Sequence, residues 1–550
     1  NASSEIRVGI LGADCHVRKK DARETGIVEE VLLENKKRNN TNSFSVFDLI
    51  LWEKANFQEN LDLYLNTHIT EAECEDNHIR NISAIQLTSE TTYKFEAEIY
   101  IDCTGDGALG MLSGAEFSMG EEAKEAFGEP DAPDAATSYT MGNSIQFTAV
   151  DKKEPAAFEK PSWAYEFSEQ GLKDRPHHNM YPGRTWHGYW WFEHGGGKYN
   201  TIADAETIRD ELLKNMFGVW DHIKNGGDHG AENYAMDWIQ FLPGKRESRR
   251  LTGDYIMREQ DILTRRIFDD AVAYGGWPVD SHAPDSIMSL DKPPILKYIN
   301  FDGVYTIPYR CLYSRNVDNL MMAGRPISGS HLACSSTRVM GTASLTGQAA
   351  GTAAAVAVKK KTGPRGVGNY IGELQQTLLK NDCYIPGVIN RCEEDKARYA
   401  SVTASSHIDG CFSGNIINGK IRNENGVMNC WVSEDIGNTP QWISLSLDQP
   451  VQISEMIIRF DSDLNQEIVL TMDHRVNDRQ SKGTPPTIIK DYAVEMRLKG
   501  KIVHTFEITG NYQRFCRHTV DKILCDFVKV IVKSTNGDKK ARIFEIRLNV

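Results

Sequence analysis

The sequence lacks several things whose absence narrows the reading. It has no long apolar run: the least polar stretch, Leu345 to Val358, is rich in Ala and Gly and too short to span a bilayer, and mean hydropathy is −0.45. A transmembrane helix is excluded. It has no excess of basic charge, since 62 Lys and Arg stand against 76 Asp and Glu for a net charge of −14, which argues against a nucleic-acid scaffold because phosphate binding needs a basic footprint. It has no CxxC pair among its 11 cysteines, so neither a zinc ribbon nor a complete disulfide framework is indicated. It has no internal repeat or low-complexity segment, and its start, Asn1-Ala2-Ser3-Ser4, shows neither an initiator Met nor the basic and apolar regions of a signal peptide, reading like a chain entered midway.

What is present is a globular composition, 40% hydrophobic and 25% charged over 550 residues. The first hundred residues have α/β character. Val46 to Phe57 carries a helical apolar spacing, and shorter alternating runs follow at Leu61-Leu63-Leu65, Ile79-Ile82-Ile85-Leu87 and Ile99-Ile101, the last opening into Asp102-Cys103-Thr104-Gly105-Asp106-Gly107. Small and acidic residues directly after a buried strand mark a loop at the carboxyl edge of a sheet. From about Gly110 to Tyr305 aromatics, histidines and Pro/Gly loops dominate around one clear helix, Asp204 to Lys224, with Ile208, Leu212, Met216, Val219 and Ile223 on one face and Asp204 as N-cap. The α/β style returns at Asn319 to Gly324, followed by a small-residue helix from about Val339 to Lys361. After Lys396 short alternating runs predict a β-sandwich of strands at Trp442–Leu447, Met456–Phe460, Tyr492–Leu498, Ile502–Ile508, Phe527–Val532 and Ile543–Leu548.

Asn319 to Ala355 carries the strongest chemical signal. A strand delivers Gly324, and the helix beyond is built from Gly341, Ala343, Gly347, Ala349, Ala350 and Gly351. Such a helix suits either close approach to a flat cofactor, with its N-terminus toward an anion, or tight packing in an ordinary core. Lys245-Arg246-Glu247-Ser248-Arg249-Arg250 is either a solvated charge run or an internal network. His177-His178, Trp186 to Trp191 and His194 form an aromatic segment that is either packing or a substrate wall; it shows no compact ligand spacing, so no metal is expected there. His331 reads as an acid or base, or as a satisfied structural histidine.

The Asn319 to Ala355 segment resembles the C-terminal flavin signature of FAD-dependent oxidoreductases of the two-dinucleotide-binding-domain type. Asn1 to Val8, Tyr100 to Gly107, Pro243 to Asp254 and Ala273 to His282 resemble the same family in the same order. The resemblance implies a Rossmann-like FAD domain, residues 1–110 and 311–395, with an inserted α+β substrate domain at 111–310. It implies FAD contacts from Asn1, Ala2, Ser3, Ser4, Thr104, Gly105, Asp106, Gly324, Arg325, Arg338, Val339 and Gly341, catalytic roles for His331, Arg338, Lys245 and Arg246, and substrate contacts from Arg7, Arg249, Arg250 and Trp190. The family's opening GxGxxG unit is missing; the one match to that spacing, Gly105 to Gly110, follows the late strand and corresponds to the family's second loop. FAD binding is therefore expected from the family, with its retention by this chain left open.

Residues 396–550 resemble the galactose-binding-like sandwich of discoidin-type modules through Asn429 to Ser433, Pro440 to Leu447 and Ile453 to Phe460, a module that either binds glycans or is structural. The expected activity is hydride transfer from a small, carbohydrate-derived substrate to flavin. The competing readings are a non-redox glycan-binding protein on a flavoprotein scaffold and a polysaccharide-cleaving enzyme. A small-molecule or glycan partner, no nucleic acid, no membrane span and an extracytoplasmic location complete the expectations; the sequence does not indicate an oligomeric state.

Overall fold

A computed structural model describes residues 2–13, 21–172, 175–177, 186–437 and 439–550 of the chain, the side chains of residues 2, 3, 186 and 187 excepted. Two strands, Tyr100–Asp102 and Leu320–Met322, pair in parallel although they lie far apart in sequence, with Leu320 opposite Tyr100 and Met322 opposite Asp102. Leu320, Met321 and Met322 are fully buried, the continuous apolar run that a strand covered on both faces requires. Each strand ends in a turn with left-handed glycine: Gly105 and Gly107 after the first, Gly324 after the second. Two loops thus emerge side by side from the same strand ends.

The helix after the second loop spans Met340–Lys360. It meets the expected bounds within a residue, and its small residues have divided duties. Ala349, Ala350, Ala353 and Ala357 are buried in the core that also holds the parallel strands, whereas a Cβ at Gly347 or Gly351 would meet nothing. Gly341 is the close approach: a Cβ there would lie 2.8 Å from the Cα of Gly12.

The Phe44–Asn56 helix begins two residues before the predicted Val46 to Phe57 stretch and ends one residue short of its end, and is capped by Ser43, whose side chain accepts from the Val46 amide. Leu61-Leu63-Leu65 is not a strand. Those leucines are exposed on an irregular link, and alternation alone does not make a strand where no neighbour is available to pair. The strands that follow, Thr67–Glu75, His78–Gln86 and Thr91–Phe95, form an antiparallel sheet. Its first turn places Asp76 and Asn77 both at positive φ, the geometry of a tight hairpin.

The Ala205–Asn225 helix buries the five predicted apolar positions, and its own Trp220, in a core with Phe147, Trp191 and Phe192. Asp204 precedes it but does not cap it with its side chain, which instead accepts from the Asn200 amide.

The C-terminal strands form one sheet that folds over on itself. Gln441–Phe460 covers two of the predicted strands in one piece: its first half pairs with Ser401–Ala404 and its second with Lys540–Asn549, with register breaks between Ser446 and Val451 and between Ile453 and Glu455. Phe515–Thr535 runs beside it throughout, and Lys499-Gly500 makes the hairpin turn between Ile489–Leu498 and Lys501–Ile508. The described cysteines are free thiols, and no described helix is long and apolar enough to cross a membrane.

Candidate functional site

The two loops at the ends of the parallel strands meet the Lys245–Arg250 segment, and Asp106 is where they join. Its Oδ2 accepts from Lys245 Nζ at 2.5 Å, while Oδ1 accepts from Arg325 Nη2 at 3.1 Å and Ser248 Oγ at 2.8 Å. Arg249 donates to the Asp106 carbonyl at 3.2 Å and lies over the Phe117 ring. Burial alone would raise the Asp106 carboxyl, but the Lys245 hydrogen bond and the Arg325 charge hold it below its ordinary value. Beneath the loop, Asp102 accepts from the Thr104 amide and hydroxyl and from the Gly110 amide, fixing the turn. Thr104, Gly105, Asp106, Gly324 and Arg325 are therefore brought together as the sequence predicts. Lys245, expected to be catalytic, instead clamps the loop.

A second cluster lies behind the first and is closed. Arg250, expected at the substrate, is 1% exposed and satisfied by Glu247, Glu122 and the carbonyls of Gly120 and Gly329. His331, expected as an acid or base, has both ring nitrogens engaged: Nδ1 lies 2.9 Å from Glu247 Oε2, and Nε2 lies 3.2 Å from Ser281 Oγ. Burial would lower the His331 pKa, but the Glu247 charge raises it; Glu247, in turn, is held low against its own burial by His331 and Arg250. Arg250 and His331 form a structural ion network, corrections that follow from the depth at which the topology places them.

A third set is partly open. Arg246 contacts Glu193 at 2.5 Å, His282 lies between Glu193 (Nδ1 to Oε1, 3.0 Å) and Asp280 (Nε2 to Oδ1, 3.1 Å), and Arg338 Nη2 lies 3.4 Å from Asp280 Oδ2. Burial alone would raise the Asp280 carboxyl; His282 and Arg338 bring it below its ordinary value. The two guanidinium side chains at the ends of this relay retain 15% and 12% exposure, whereas Glu193 has none. Trp190, itself 38% exposed, sets its ring edge-on to His282, and its carbonyl accepts from Arg246. Glu193, His282 and Asp280 escaped sequence reasoning as a set. The signal present was His282 at the end of a recognised motif, and nothing local tied it to Glu193.

Four buried polar atoms of the 324–342 segment have no hydrogen-bond partner among the described residues: Arg325 Nη1, Ser328 Oγ, Arg338 Nε and Thr342 Oγ1. The Gly341 amide, expected to face the cofactor, instead donates to the Leu11 carbonyl at 2.7 Å. Val339 caps the helix without a side-chain bond, its carbonyl accepting from Ala343.

The N-terminal expectations fare differently. Asn1 and the side chains of Ala2 and Ser3 lie outside the described residues, as do His178 and the side chains of Trp186 and His187. Ser4 does not reach the loops; its hydroxyl donates to Asp48 at 2.6 Å, as Ala2–Glu5 forms a helical turn against the Phe44–Asn56 helix. Arg7, expected at the substrate, stacks 4.1 Å over the Trp238 ring.

A family model described as FAD dependent oxidoreductase matches residues 7–378. Among curated proteins no relative matches. Solved structures similar to part of the chain include a fucose-binding module, SpX-3, of Streptococcus pneumoniae, 14% identical over 28% of this chain and 97% of that one, TM-score 0.22. Another is the family 32 CBM from Clostridium perfringens NanJ in complex with galactose, 18% identical over 28% and 95%, TM-score 0.20. A third is chitosan-binding module 1 of a chitosanase/glucanase from Paenibacillus sp. IK-5, 13% identical over 28% and 98%, TM-score 0.21.

Proposed function

Because the chain belongs to the FAD dependent oxidoreductase family, we propose that the paired loops hold FAD and that Arg246 and Arg338 present a small polyhydroxylated or carboxylated substrate, carbohydrate-derived, for oxidation. The residues fit the cofactor on chemical grounds. A dinucleotide carries a pyrophosphate and carbonyl acceptors, and the loop and helix start leave two buried guanidinium N–H groups and two hydroxyls without partners among the described residues. Thr104 to Asp106, Gly324-Arg325 and Arg338 to Thr342 would hold it, in a Rossmann-like arrangement of which the parallel strand pair is part. When bound, FAD supplies a two-electron acceptor for a substrate C–H hydride.

The observation that carries the substrate reading is the relay from Arg246 through Glu193, His282 and Asp280 to Arg338. Each guanidinium is fixed on one side by a buried carboxylate and keeps a partly exposed side. Two cations held this way bind a carboxylate or vicinal hydroxyls bidentately without reorganising on substrate arrival. His282 sets the spacing between the carboxylates and so between the guanidinium groups. Trp190 adds an apolar face beside them, suited to a sugar ring. The sequence order of the 396–550 sandwich supports the carbohydrate-derived substrate, and division of residues 1–395 into an FAD domain interrupted at 111–310 follows the family's plan.

The test is spectroscopic. Purified protein titrated with FAD should acquire resolved flavin bands with altered fluorescence, and anaerobic addition of sugars, uronic acids and hydroxy acids should bleach them for the true class. Absence of any flavin perturbation at saturating FAD would end the proposal. Arg338→Met should lower kcat/KM by roughly 10–150-fold, the worth of a hydrogen bond to a charged group.

A further inference from the structure

The sequence reading assigns no metal to the histidine-rich stretch because its ligand spacing is not compact. The fold brings one histidine of that stretch to residues outside it: Glu169, His177, His222 and His229 come together with one ligand atom of each within 4.8 Å of the others, and the histidines are buried. Glu169 lies on the short Glu169–Leu172 turn, His222 near the end of the Ala205–Asn225 helix, and His229 in the loop beyond it. The imidazole rings are spaced 4.9–5.4 Å apart and tilted 58–61° to one another, arranged like blades about a common point. All present Nε2 to one oxygen, Glu169 Oε2, at 3.1 Å from His177, 3.0 Å from His222 and 3.7 Å from His229.

Proton counting shows what that point requires. His177 Nδ1 lies 2.6 Å from the Arg175 carbonyl, which only accepts, so the ring proton belongs on Nδ1. A neutral His177 then turns a lone pair on Nε2 toward a carboxylate oxygen, acceptor against acceptor. A divalent cation between the groups turns each lone pair into a bond. The Arg175 carbonyl on Nδ1 is the outer contact that fixes a ligating histidine's tautomer.

We propose that Glu169, His177, His222 and His229 bind a structural zinc ion. Nitrogen and carboxylate donors, four in number, suit tetrahedral zinc, whose ligand bonds of about 2.0–2.1 Å imply ligand separations near 3.3 Å. Modest inward movement of rings and carboxylate closes the present cluster to that size. The site ties Glu169 and His177 to the helix end. Pro176 and His177 in turn anchor the aromatic residues before Glu193: Tyr189 donates to the His177 carbonyl at 2.5 Å, and Trp191 Nε1 to the Pro176 carbonyl at 3.4 Å.

The experiment uses the whole chain, without a histidine tag, stripped with chelator and dialysed. Zinc titration should load about one equivalent per chain and raise the thermal midpoint, and cobalt(II) should give the visible bands of a tetrahedral nitrogen-rich site. His222→Ala should weaken zinc binding by more than the roughly 10–100-fold that loss of an outer contact costs. Glu169→Gln, at the exposed edge, should shift the cobalt spectrum while the variant stays folded. Wild-type protein that takes up no zinc above the dialysis blank, or a folded Glu169→Gln or His222→Ala chain with wild-type affinity and spectrum, would overturn the assignment.

Discussion

Glu24 shows how a single side chain couples burial to pH. Its Oε1 accepts from the Ala13 amide at 2.7 Å, and burial pushes the carboxyl up to about 7. A carboxyl raised in the folded state binds its proton more tightly than in the unfolded chain, so stability falls as pH rises from the ordinary carboxylate value to about 7. Glu24→Gln keeps an acceptor for Ala13 without the charge. It should raise stability by on the order of 1–3 kcal/mol at about pH 8 and give no gain near pH 4, measured by denaturant melts at both. Glu247 behaves oppositely. Its folded pKa is depressed and that of His331 raised, so the pair's contribution is lost as pH falls through the lowered Glu247 value and again as pH rises through the raised His331 value. Glu247→Gln leaves Arg250 buried beside a neutral amide and should cost about 3–5 kcal/mol. Unchanged denaturation midpoints would show that Glu122 and the carbonyls suffice.

Among elements, the Met340–Lys360 helix separates what composition reveals from what only packing decides. Its extent and its place after a glycine turn were legible from residue pattern, as were the five buried positions of the Ala205–Asn225 helix. Which glycines mattered was not, because Gly341 and Gly347 look alike in sequence, and only the fold sets Gly12 against one and open space against the other. Gly341→Val should push the Leu11-Gly12 segment away and cost about 1–3 kcal/mol, while Gly347→Ala should gain about 0.5–1 kcal/mol by helix propensity alone. Thermal melts of the two variants moving in the same direction would contradict this division. The candidate site was read in the same partial way. Asp106 and Arg325 sit in motifs and were foreseen together as cofactor contacts, whereas Lys245, foreseen as catalytic, pairs with Asp106. Arg250 and His331 sit in the same motifs but face inward, and the Glu193, His282 and Asp280 set depends on contacts between distant stretches that no local period encodes.

At the scale of the molecule, the C-terminal sheet is not a tethered appendage. Asp382, 1% exposed, accepts from Arg459 at 2.8 Å and Arg514 at 3.2 Å, and Arg459 also donates to the Leu379 carbonyl. Arg422 donates to the carbonyls of Asp21 and Arg23 and to Tyr274, and lies 3.8 Å from the centre of the Tyr384 ring. The Ile27–Arg38 helix completes the seam by packing Val31, Leu32 and Leu33 with Ile468, Leu470 and Ile488. A chain ending near residue 395 should therefore be recovered mainly as aggregate, since it would uncover Asp382 and an apolar helix face. A soluble, cooperatively melting fragment would show the seam to be dispensable. The sequence boundary at Lys396 marks a change of style and says nothing about this interlock, which pairs residues as far apart as Arg23 and Asp463.

The shared carboxylate of Asp382 also sets an order of events during synthesis. It leaves the ribosome before either of its arginines, so for the interval before residues 459 and 514 are made the preceding stretch carries an acidic socket without them. That portion cannot finish folding as a nascent chain. Its last step waits on the arrival of Arg459 and Arg514, so the stretches on either side of Lys396 reach their final state together.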